Sequence, residues 1–117
     1  LEAFAPDMII VACGFDASIV DPLARMQATA ETFADMTHRI KATAQKLCGG
    51  KLVLVHEGGY SEAYVPFCGH ATIAALADSD ITAPDPHAKN FRIRQPSPKF
   101  DAFLRASIDA MAQELNL

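Results

Sequence analysis

Two short segments carry side chains able to do chemistry, and each follows an apolar run. Gly14-Phe15-Asp16 comes after Met8-Ile-Ile-Val-Ala-Cys13, and Glu57-Gly58-Gly59-Tyr60 comes after Lys51-Leu-Val-Leu-Val55. If the runs are neighbouring parallel strands, the two segments stand about 5 Å apart at the backbone. A carboxylate and a phenol, an anionic acceptor and a hydrogen-bond donor, then face one crevice. Consecutive glycines permit positive φ and close approach of backbone to a ligand; a tight strand-to-helix turn needs them equally. Asp16 by itself is also compatible with a turn, and Asp21-Pro22 reads as a turn or helix-start device.

The other reactive types form weaker patterns. Gly59-Tyr60-Ser61-Glu62-Ala63 approaches the nucleophile elbow G-x-S-x-G, but no Asp and His follow in contexts that suggest a triad. Ser61 therefore reads as satisfying helix N–H groups. Cys68-Gly69-His70 offers two metal donors without the second pair a zinc site requires. Three cysteines at wide spacing, Cys13, Cys48 and Cys68, are no disulfide framework. Cys13 reads as a small buried hydrophobe.

The elements that must position these residues alternate. Met8–Cys13 is bounded by Pro6-Asp7 and Gly14 and reads as a strand buried on both faces, as in a parallel sheet. A helix is predicted from about Thr29 to Leu47. Its stripe is Phe33, Met36, Ile40, Ala44 and Leu47, with Thr29 as cap, Glu31 and Lys46 matching the dipole, and Gly49-Gly50 as stop. Lys51–Val55 is the second strand. A helix over roughly residues 64–77 must hold Pro66 in its first turn. Strand, helix, strand make a βαβ unit, right-handed in about 98% of cases. Its strand carboxyl ends share the edge where open α/β sheets bind ligands.

Residues 78–98, with Pro84, Pro86, Pro96 and Pro98, read as a long irregular connector that wraps over another surface or crosses to a partner chain. A last helix covers 99–117, with Ser97 as cap and Pro98 in its first turn. Its stripe is Phe100, Phe103, Leu104, Ile108, Met111 and Leu115.

Composition narrows the class. Half of the 117 residues are hydrophobic and 21% are charged, which excludes a disordered chain. The net charge of -4 gives no basic footprint for nucleic acid. No apolar run is long enough for a membrane helix. With no targeting signal in view, a cytoplasmic location is expected. The length is short for a full active site, and the chain opens on Leu1 without an initiator Met, so part of a longer chain is expected.

Three segments in this order, Cys13-Gly-Phe-Asp-Ala17, Asp21-Pro-Leu-Ala-Arg-Met26 and Glu57-Gly-Gly-Tyr-Ser61, resemble the zinc-dependent histone deacetylase superfamily, most nearly its class II bacterial amidohydrolases. The resemblance covers about residues 6–77 and, more loosely, the tail. It implies an α/β fold in which a parallel βαβα segment belongs to an arginase/deacetylase-type three-layer domain. It further implies a Zn2+ site held by two aspartates and a histidine. Asp16 matches the second aspartate ligand and Tyr60 the tyrosine that bonds the substrate carbonyl. Gly58 and Gly59 match the wall of the acyl-lysine channel.

The family's Asp-x-His pair and tandem histidines have no counterpart here. Asp85-Pro86-His87 has the spacing but falls inside the connector. His38 reads as a surface residue, and His56 as packing or hydrogen-bonding near the strand end. The expectation is the C-terminal part of a zinc amidohydrolase, inactive alone, whose remaining ligands lie outside the chain. Its substrate would be an acetylated lysine or a polyamine-type small amide. The alternative is a freestanding, non-catalytic α/β module that acts by binding a partner. Either the rest of the deacetylase domain or an oligomer partner must cover the sheet.

Overall fold

Both apolar runs are strands, and they lie side by side. The computed structural model describes residues 1–24 and 26–117; Arg25, within the Asp21–Met26 motif, lies outside the described residues. Strand β1 (Ile9–Cys13) pairs in parallel with β2 (Leu52–His56), with Ile9 opposite Leu52 and Cys13 opposite His56. Helix α1 (Ala30–Cys48) connects them, and α2 (Val65–Ala77) follows β2. The expected βαβα order therefore stands.

The ends of these helices follow local chemistry. Thr29 accepts the N–H of Thr32, and the Thr32 hydroxyl accepts the N–H of Thr29 in return, closing a capping box. Gly49 ends α1 at φ 63°, left-handed backbone that favours glycine. Pro66 sits in the first turn of α2, where its missing N–H costs nothing.

The core lies where α1 and α2 meet the strand ends. It comprises Phe15, Ala30, Phe33, Tyr64, Cys68 and Phe91, with Cys13 half-buried against it. Phe15 meets Phe33 edge-on at 5.1 Å, and Tyr64 meets Phe91 edge-on at 5.0 Å, the arrangement favoured by ring quadrupoles. Thr37, not Met36, completes the buried side of α1, its hydroxyl donating to the Phe33 carbonyl at 2.8 Å.

Two expectations need correction. The strands are not buried on both faces. Val11, Cys13 and Leu54 point toward the helices, whereas Ile10 is 66% exposed and Val53 and Val55 are open to solvent. The run of apolar residues remains continuous because nothing in it records which face this chain itself covers. Nor is the connector without structure. It contains a short helix, α3 (Ala88–Ile93), which drives Phe91 into the core. The connector wraps over this chain's own surface: Arg92 pairs with Glu31 at 2.8 Å and Gln95 donates to the Gln27 carbonyl at 3.2 Å.

The last helix, α4 (Pro98–Glu114), begins as expected with the Ser97 hydroxyl accepting the Phe100 N–H. Its apolar stripe has no cover among the described residues, with Phe103, Ile108 and Met111 all more than half exposed.

Candidate active site

The ladder between β1 and β2 continues past the strands and draws the two chemistry-bearing segments together. Glu57 N–H donates to the Cys13 carbonyl at 3.2 Å, and Phe15 N–H donates to the Gly58 carbonyl at 2.7 Å. Asp16 and Tyr60 thus stand at one edge, beyond the carboxyl ends of both strands.

Asp16 is half-buried, and its carboxylate lies where two glycines leave room. A Cβ on Gly58 would stand 2.7 Å from Asp16 Oδ2, and one on Gly14 would stand 2.6 Å from Oδ1. Such distances are prohibitive, so both positions need to lack a side chain while the carboxylate keeps its place. Gly59 has its own reason. It adopts φ 133°, and a Cβ there would be 3.0 Å from Phe15 Cβ. The glycines therefore serve this chain's own packing: Gly59 turns the backbone, and Gly14, Gly58 and Gly59 leave room for Asp16 and Phe15.

Tyr60 is 55% exposed at this edge. Its backbone is fixed by a residue the sequence did not single out for chemistry. Asp21 is buried and accepts three N–H groups: Leu23 at 2.8 Å and Ala24 at 3.2 Å on Oδ1, and Tyr60 at 2.8 Å on Oδ2. Burial pushes its carboxyl pKa up, but the three N–H donors outweigh that and hold it below the ordinary value. The first two bonds bear out the turn reading. The third, across 39 positions, has no local sequence signal.

Tyr64 was also missed. Its buried hydroxyl donates to Asp85 Oδ2 at 2.7 Å and accepts the N–H of Ala30, the first residue of α1, at 3.0 Å. Burial and the neighbouring carboxylate both raise its pKa, so it remains a neutral phenol. The usable signal was an aromatic at a helix start whose hydroxyl must find partners when buried.

The remaining polar residues have structural roles. Asp85 also accepts the N–H of His87 at 2.7 Å, so Asp85-Pro86-His87 is a turn tied to Tyr64. His38 is exposed on α1. His56 stacks on Phe15 at 5.1 Å, with Nε2 3.2 Å from the Gly58 carbonyl. Cys68 is fully buried. Loss of hydration pushes its thiol up to about 12, so it stays a neutral thiol packed in the core at neutral pH. Ser61 satisfies N–H groups at the start of α2, as expected, through its carbonyl, which accepts from the cap residue Tyr64 and from Val65.

A tetrahedral zinc site needs three protein ligands with an open position. Among the described residues no three of His, Cys, Asp and Glu are grouped to hold a metal. Asp16 fits as one hard oxygen ligand, and the described residues do not complete a ligand set around it.

The chain's resemblances bear directly on this arrangement. A model of the histone deacetylase domain matches residues 1–76, which takes in β1, α1, β2 and α2 to its penultimate residue. Across all 117 residues the sequence is 46% identical to the histone deacetylase-like amidohydrolase of Pseudomonas aeruginosa, covering 31% of that protein. It is 41% identical over 84 residues to a probable deacetylase of Archaeoglobus fulgidus, covering 71% of this chain and 23% of that one. It is 46% identical over 57 residues to the mouse polyamine deacetylase HDAC10, covering 49% of this chain and 8% of that one. The crystal structure of the HDA15 HD domain superposes with a TM-score of 0.59 at 33% identity, over 70% of this chain and 22% of that chain. The chain thus spans less than a third of the length of these relatives.

Proposed function

The chain belongs to the histone deacetylase domain family, and on that premise we propose that it is the C-terminal part of a zinc-dependent amidohydrolase, contributing one metal ligand, Asp16, and one oxyanion donor, Tyr60. The observation that carries this reading is their convergence. A carboxylate seated over Gly14 and Gly58 and an exposed phenol share one sheet edge, and their two loops are stitched together by backbone hydrogen bonds.

Hydrolysis of a linear amide adds water to the carbonyl carbon and breaks the C–N bond, releasing a carboxylate and an amine. When bound, zinc supplies polarisation of the carbonyl and a nucleophilic water at neutral pH. Asp16 offers the metal an anionic oxygen of the hard type zinc accepts. The Tyr60 O–H donates to the oxygen that becomes negative in the tetrahedral state. Gly58 and Gly59 form a side-chain-free wall past which an extended acyl-lysine or acetylpolyamine chain slides. Two relatives, one named an amidohydrolase and one a polyamine deacetylase, support that substrate class. The other ligands and the acid/base pair come from outside these 117 residues, so the chain alone is inactive.

The test uses the protein with its upstream sequence restored and an acetyl-lysine peptide as substrate. Tyr60→Phe should lower kcat on the order of 10²-fold, the usual loss for one oxyanion donor. Asp16→Ala should abolish turnover. Undiminished hydrolysis by both variants rejects the assignment.

A further inference from the structure

We propose that Asp21 is a positioning residue for Tyr60: its buried carboxylate holds the backbone of the tyrosine loop and so aims the phenol at the edge where Asp16 stands. This rests on the reading of Tyr60 as oxyanion donor. Asp21 is 1% exposed, and a carboxylate buried so completely needs donors on both oxygens. Oδ1 takes the two local N–H groups of Leu23 and Ala24, which suffice for a turn before and through a proline. Among the described residues, Oδ2 accepts the N–H of Tyr60, at 2.8 Å. A side chain serving only its own turn could leave that oxygen to water.

The tyrosine loop has few other restraints. Glu57 N–H and the Gly58 carbonyl are tied to Cys13 and Phe15. The chain then swings through Gly59 at φ 133°, and the next anchor before α2 is the Tyr60 N–H itself. With Tyr60 55% exposed, packing does little to orient its side chain; the direction of its Cα–Cβ bond is set by that backbone bond. Hydrogen bonds to an ionised acceptor are about twice as strong as neutral ones, so this bond dominates at Tyr60 itself, between the anchored Gly58 and Ser61 carbonyls. The loop from Gly14 to Asp21 therefore supplies Asp16 and fixes the segment that supplies Tyr60.

Asp21→Asn in the complete protein tests this. The amide has the same shape, but in either orientation it sets an NH2 against backbone N–H groups that the carboxylate now accepts. If Asp21 acts through the phenol, kcat on an acetyl-lysine peptide falls about 10-fold or more, no further than in Tyr60→Phe, with KM within about threefold. In the Tyr60→Phe background the same change should cost less than about threefold, because no phenol remains to aim. An equal loss in both backgrounds, or a folded Asp21→Asn protein with unchanged kcat, overturns the proposal. Should Asp21→Asn fail to fold, amide exchange in the unsubstituted protein decides. The Tyr60 N–H must be protected, and exchange at the rate of an open chain contradicts the bond. Tyr60→Phe with full activity is a different result: it removes the reading of Tyr60 itself, whatever Asp21 does.

Discussion

Asp16 and Tyr60 owe their legibility to position as much as to type. Each follows an apolar run by a fixed few residues, and parallel pairing then brings their loops together without further information. Asp21 was only half legible, because its turn is local while its bond to Tyr60 spans 39 positions. Two predictions belong at this scale. The first concerns Gly58, whose Cβ position lies 2.7 Å from Asp16 Oδ2. Gly58→Ala should displace the carboxylate and weaken zinc binding by the complete protein, read by competition with a chelator. Gly49→Ala, with nothing within 4 Å, should leave zinc binding intact and cost only about 1 kcal/mol for its left-handed backbone. The second concerns pH. The folded-state pKa of Asp21 is lowered, so its stabilising bonds are complete above the unfolded value of about 3.9 and are lost as pH falls through the lower folded value. The Tyr60 amide proton shift should therefore be flat from neutral pH to about 5 and move only below about 4.

Elements announced by their termini were readable. Thr29, Gly49, Pro66 and Ser97-Pro98 each mark a boundary that the structure keeps within a residue or so. Thr29→Ala removes the side-chain acceptor of the Thr32 N–H, one arm of a capping box, and should cost about 1 kcal/mol in thermal unfolding of the complete protein. Elements held by distant contacts were not readable. α3 spans six residues between prolines and exists because Phe91 has a core to enter, against Tyr64. The Tyr64 hydroxyl also ties that connector to the first N–H of α1. Tyr64→Phe leaves the Ala30 N–H without its buried acceptor and should destabilise by about 1–3 kcal/mol, with the short helix losing exchange protection first.

At the scale of the molecule, the surface is what stands out. One sheet face presents Ile10, Val53 and Val55, and α4 presents Phe103, Ile108 and Met111, without cover among the described residues. Apolar runs in the sequence foretold parallel strands but carried no record of how much of their cover lies in this chain. Uncovered strand edges and apolar faces of this kind promote association. The 117-residue chain by itself should therefore aggregate in size-exclusion chromatography and gain no thermal stability from zinc. A discrete, well-folded oligomer would instead favour a freestanding module that works by binding. The central claim is that Asp16 is a ligand of a zinc ion completed by the rest of a deacetylase domain, and zinc affinity of the complete protein tests it most directly. Asp16→Ala should weaken zinc binding at least about 100-fold, beyond the cost of losing a supporting group around a site. Equal zinc affinity in the variant and the unsubstituted protein would contradict it.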